Sequence, residues 1–150
     1  MHRYILLVAV VAVVLAVASM GSLFMPGAWY AGLAKPSWTP PNWLFGPVWS
    51  VLYLMIAVAG WLVWLTPDTS AARWIWPLQL VFNGLWSPVM FGWHRIGLAL
   101  LVIALLWLAI AAFVVTSWPR ARVAALLFLP YLAWVSYASA LNFALWRLNP

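Results

Sequence analysis

WLFGPVWSVLYLMIAVAGWLVWL, residues 43 to 65, runs without a single charged side chain. A helix needs roughly 20 apolar residues to cross about 30 Å of hydrocarbon, and this stretch supplies them. The rest of the chain agrees with a membrane reading. Of 150 residues, 69% are hydrophobic, seven are Lys or Arg, and Asp68 is the one acid. No soluble fold needs so little charge.

Working outward from residues 43 to 65, the charged and turn-rich segments LTPDTSAAR, GWHR and SWPRAR separate further apolar runs. The spans predicted are Tyr4 to Phe24, Trp43 to Leu65, Ala71 to Phe91, Ile96 to Thr116 and Val123 to Trp146. Short connections force up-and-down neighbours. The expectation is therefore an all-α integral membrane protein, a single bundle of five transmembrane helices forming one domain over residues 1 to 150. Its longest connection, the first loop, runs over residues 25 to 42. Pro36, Pro40 and Pro41 stiffen that loop, because each fixes its own φ and biases the residue before it toward extended backbone.

The first run also resembles a signal peptide, with MHR ahead of it and Ala16-Val17-Ala18 as a cleavage pattern. The apolar stretch continues to Phe24, long enough to span, which favours its retention. Arg3, Arg73, Arg120 and Arg122 fall on the side of the N-terminus, against Lys35, Arg95 and Arg147 opposite, so the excess of positive charge favours a cytoplasmic N-terminus. The cations are scattered between apolar runs. That pattern fits topology and headgroup contact and gives no clustered face for nucleic acid.

Cysteine is absent, which excludes disulfides, thiolate metal sites and cysteine nucleophiles. His2 and His94 fall on opposite sides by this topology, so they form no metal site, and within the predicted spans the one Asp, Glu, Lys, Arg or His is Arg73, at the start of the third. Proton-relay and hydrolytic constellations cannot be assembled from what is left.

What the chain has in excess is tryptophan, fourteen of them. By span position Trp29, Trp38, Trp43, Trp93 and Trp146 fit an interfacial belt on one side, and Trp61, Trp64, Trp74, Trp76 and Trp118 a belt on the other. Trp49, Trp86, Trp107 and Trp134 lie deeper, where an indole N–H wants a partner or a cavity. Helical spacing gives three of them companions: Trp49 with Tyr53, Ile56 and Gly60; Trp86 with Gln79, Asn83, Ser87 and Met90; Trp134 with Tyr131, Ala138, Leu141 and Asn142. Trp107 has aliphatic neighbours and reads as lipid-facing or packing. Depth places Trp49, Tyr53, Asn83, Trp86, Ala138 and Asn142 in the half of the membrane beneath the loop. Amides there serve either as interhelical glue or as the polar points of a cavity for a flat, largely apolar ligand, and spacing leaves both readings open.

Three blocks carry a resemblance: WYAGLAKPSWTPPNWLFGPVWSVLY (29 to 53), QLVFNGLWSPVMFG (79 to 92) and LPYLAWVSYASALNFALWRLN (129 to 149). They resemble the tryptophan-rich sensory protein family, whose animal members are translocator proteins, or peripheral benzodiazepine receptors. The resemblance implies a five-helix protein of the bacterial cell membrane, a homodimer, binding porphyrins such as protoporphyrin IX in a pocket closed by the first loop and linked to tetrapyrrole regulation and stress responses. No cofactor is required; porphyrin is ligand or substrate. Matched by motif, the ligand positions are Tyr30, Pro40, Trp49, Tyr53, Asn83, Trp86, Trp134 and Ala138. An alternative implied by the same resemblance is light- and oxygen-dependent porphyrin degradation, with Trp49 and Trp134 as the working tryptophans. Sterol binding is implied for the animal members, and the corresponding segment here has Leu141 and Arg147 but Phe143 where a tyrosine is expected. Such motifs are weak even when complete.

Overall fold

The computed structural model describes residues 1–150. It is helical with no strands. In chain order come α1 (His2–Leu23), α2 (Ala28–Ala31), a 3₁₀ turn (Asn42–Leu44), α3 (Phe45–Leu65), α4 (Ser70–Ser87), a π-helical turn (Pro88–Gly92), α5 (Ile96–Ser117) and α6 (Arg122–Leu148). Four segments are long and apolar enough to cross a membrane: α1, the 3₁₀ turn with α3, α5 and α6. α4 is not among them. It carries Arg73, Gln79 and Asn83 in 18 residues, which lowers its hydropathy well below that of its neighbours.

Two expectations need correction. The third predicted span, Ala71 to Phe91, is not one α-helix, because α4 stops at Ser87 and Pro88 to Gly92 widen into a π turn. Pro88 has no N–H to offer the preceding turn, and the wider winding lets Trp93 N–H reach Pro88 O at 2.8 Å. The connection from 25 to 42 is not plain loop either. α2 forms within it, closed by the Gly32 N–H on the carbonyls of Ala28 and Trp29, both at 3.1 Å.

The long helices pack in a closed ring: α1 on α3, α3 on α6, α6 on α5, α5 on α4, and α4 back on α1. Lipid is as apolar as leucine, so close fit rather than hydrophobic exclusion holds such helices together. The tightest fit is at Gly60 of α3, where an added Cβ would lie inside the ring atoms of Trp76. Trp76 in turn donates Nε1–H to Ile56 O at 2.9 Å. Trp76 is thus a buried core residue, 4% exposed, and not the belt residue its span position suggests. In the same core cluster Phe113 of α5 stacks on Phe128 of α6 with ring centroids 3.9 Å apart.

Other tryptophans divide similarly. Trp38, Trp43, Trp64, Trp74, Trp93, Trp118 and Trp146 are exposed, as a belt requires. Trp61 instead donates to Arg3 O at 3.1 Å, tying the end of α3 to the start of α1. Trp107, expected to have only aliphatic company, donates to Ser136 Oγ of α6 at 2.8 Å. The hydroxyl was overlooked because it lies on another helix.

Candidate ligand site beneath the first loop

Beneath the 25 to 42 segment, α3, α4 and α6 bring polar and aromatic groups together. Tyr53 O–H donates to Asn83 Oδ1 at 2.9 Å, Asn83 Nδ2 donates to Tyr131 OH at 2.8 Å, and Tyr131 O–H donates to Gln79 Oε1 at 2.9 Å. Gln79 Nε2 closes the relay on Trp76 O, also at 2.9 Å. A second link joins Trp86 Nε1–H to Asn142 Oδ1 at 3.0 Å, and Asn142 Nδ2 to Ile96 O at 3.1 Å. Each buried amide therefore finds its partners inside the protein, as buried polar groups must. Gln79, Asn83 and Asn142 act as glue between α3, α4, α5 and α6.

The aromatic faces around this relay are less enclosed. Trp49, Tyr53, Trp86, Trp134 and Ala138 are half-buried, whereas Gln79, Tyr131 and Asn142 are buried. Trp49 packs on Tyr53 at 5.3 Å and edge-on to Tyr131 at 6.1 Å between ring centroids. Trp86 meets Phe91 edge-on at 5.5 Å. Trp134 lies apart from Trp49, between Phe45 at 5.8 Å and Tyr137 at 5.8 Å. Its Nε1 is buried and has no hydrogen-bond partner. Trp134 also lines a groove of about 620 Å³ between α3 and α6, with Pro47, Val48, Val51, Leu52, Pro130, Ala133 and Tyr137.

The loop packs against the ends of these helices through Tyr30 on Phe91 and Trp38 O on Tyr137. Tyr30 of α2 is buried at 6% exposure, packs edge-on to Phe91 at 5.4 Å and lies under the Lys35 ammonium, 4.7 Å from the ring centroid. Burial, and secondarily Tyr137, pushes the Tyr30 hydroxyl above its ordinary value of 10.0. Tyr30, Lys35, Thr39, Pro40, Pro41 and Asn42 line a cavity of about 540 Å³ with Pro26, Gly27 and Ala31. Pro40 is therefore at the loop cavity with Tyr30, while Trp49, Tyr53 and Asn83 lie on the helices.

Helical spacing grouped Tyr131 with Trp134 without making it a ligand position, and Phe45 and Tyr137 were not among the candidates. Tyr131 is the centre of the relay, Phe45 packs on Trp134, and Tyr137 donates to Trp38 O at 2.6 Å. Tyr137 follows Trp134 by three positions, so helical spacing held a signal for it. Phe45 had none, since it pairs with a residue of another helix. In the segment compared with a sterol motif, Leu141 is buried whereas Phe143 and Arg147 are exposed, so the three do not form one surface.

Residues 8–147 match the sequence profile of the TspO/MBR family. The chain is 45% identical over 134 residues to Protein CrtK of Rhodobacter capsulatus, covering 87% of this chain and 84% of that one. It is 40% identical over 135 residues to the tryptophan-rich sensory protein of Cereibacter sphaeroides, covering 88% and 84% of the two chains. With the human translocator protein it shares 40% identity over 138 residues, covering 87% and 82%. Together with its long apolar helices, this match over nearly the whole chain makes the protein an integral membrane protein that belongs to the TspO/MBR family.

Proposed function

We propose that this protein is a membrane receptor or translocator for porphyrins such as protoporphyrin IX, held beneath the first loop and serving tetrapyrrole regulation or stress response. In this reading α1, α3, α4 with its π turn, α5 and α6 all cross a bacterial cell membrane, with the N-terminus cytoplasmic, and the protein works as a homodimer. The observation that carries it is the half-buried aromatic faces of Trp49, Tyr53 and Trp86, with Phe91 linking Trp86 to Tyr30 of the loop. A family that includes proteins named sensory and translocator supports the same class of function.

The satisfied amides refine the mode of binding. Because Asn83 and Gln79 spend their hydrogen bonds on Tyr53, Tyr131 and Trp76, ring surfaces carry most of the grip on a flat ligand, at about 0.5 to 1.5 kcal/mol per aromatic pair beyond area burial. Titration of tryptophan fluorescence with protoporphyrin IX tests this. Trp49→Ala should weaken binding by about tenfold or more, the size of one large aromatic contact, and Trp74→Ala, an exposed residue, should not. Equal affinity in wild type, Trp49→Ala and Trp86→Ala would rule the site out.

A further inference from the structure

Past α2, the loop that roofs the site in the proposed reading has little backbone bonding of its own. Pro36, Pro40 and Pro41 offer no N–H, and between residues 34 and 44 the only internal backbone bonds are Thr39 N–H to Pro36 O and Leu44 N–H to Pro41 O. Something outside the loop must hold it down. Asn149, just past the end of α6, does so in an unusual way. Its Oδ1 accepts the Ala34 N–H at 2.9 Å, and its Nδ2 donates to the Ala34 carbonyl at 3.0 Å. One side-chain amide thus pairs with both polar groups of one residue, as a neighbouring strand would. The other Nδ2 hydrogen goes to Leu145 O at 2.9 Å, which fixes the side chain to α6. Ala34 and Asn149 lie 115 residues apart.

We infer that Asn149 is a positioning residue that latches the loop closed over the site, so that the opening of this pair governs entry and release of the ligand. It touches neither Trp49 nor Trp86. Its leverage is mechanical: Ala34 lies in the chain between α2, which carries Tyr30, and the proline-rich stretch at Pro40, and the pair ties that junction to α6. Tyr137 holds the same loop at Trp38 O, so α6 grips it at two points, and Asn149 is the outer one. The inference about release rests on the ligand reading above; the inference about the latch does not.

Hydrogen exchange with mass spectrometry, on the full chain in lipid nanodiscs without ligand, separates the two. Losing both bonds in Asn149→Ala should speed exchange in residues 26 to 39 by about tenfold. Asn149→Asp keeps an oxygen for the Ala34 N–H and loses both donors, so it should fall between. Unchanged loop exchange, or acceleration confined to the last turn of α6, overturns the latch. Stopped-flow dissociation of protoporphyrin IX then tests release: the same Asn149→Ala variant should let go about tenfold faster, and an unchanged rate with a loosened loop overturns control of release. Failure of wild type to bind porphyrin would sink the ligand reading and leave loop exchange to decide the latch.

Discussion

Two aromatic regions of this molecule use the same residue types to opposite ends. Around Trp76 the rings are sealed in: Gly60 clears space for the indole, its N–H is spent on Ile56 O, and Phe113 stacks on Phe128. Beneath the first loop, Trp49, Trp86 and Trp134 are half-buried and Trp134 keeps an indole N–H with no partner. Tryptophan content cannot tell a core from a site. What tells them apart is how far each ring is covered, since the Trp86 N–H is satisfied by Asn142 just as that of Trp76 is by Ile56 O.

The sharpest way to break the comparison is at Gly60. Gly60→Ala forces a methyl into Trp76 where neither backbone can yield cheaply, and the expected loss is about 3 kcal/mol, seen as a lowered thermal midpoint in detergent. Gly46, at the start of α3, has nothing within 4 Å of where a Cβ would go. Gly46→Ala should leave stability unchanged or raise it by about 0.5 kcal/mol. If both variants behave alike, the region around Trp76 is not sealed as described.

Tyr131 joins the two regions and comes next in size. Tyr131→Phe strands a donor on Asn83 and an acceptor on Gln79, and leaving buried polar groups unpaired costs about 2 kcal/mol. Tyr53→Phe removes only the bond to Asn83 Oδ1 at a half-buried position, so about 1 kcal/mol is expected. The ordering of these two midpoints is the check. Equal losses would mean that the relay does not run through Tyr131.

How much of this was legible follows from where each partner lies in the chain. Trp49 with Tyr53, and Asn83 with Trp86, stand three or four positions apart on single helices, so spacing and depth found them. The pairing of Asn83 with Tyr131 spans 48 residues and that of Gln79 with Tyr131 spans 52; spacing could place these groups at one depth but could not say that they bond to each other. For Trp76, position near the start of the third span is the depth signal the sequence offers, and the opposing gap at Gly60 is on another helix. The break after Ser87 had a visible cause in Pro88, yet prolines inside membrane helices are commonly tolerated, so the residue alone did not foretell a π turn. The loop helix α2 is a single turn of four residues, below what periodicity can register.

The smallest expected effect concerns the roof. Burial holds the Tyr30 hydroxyl above 10.0, whereas an opened loop would return it toward that ordinary value. Below pH 10.0 the hydroxyl is protonated whether the loop is closed or open, so pH favours neither and the contribution to closure is fully present. As pH rises past 10.0 the open form sheds its proton first and the closed form keeps it. Closure is then progressively lost as pH climbs through the raised value. One proton is involved, so protoporphyrin IX affinity should fall by no more than about tenfold per pH unit. Tyr30→Phe removes the hydroxyl while leaving the ring and the Lys35 ammonium that lies over it. A flatter profile in Tyr30→Phe than in wild type assigns the dependence to Tyr30, and superimposable profiles assign it elsewhere.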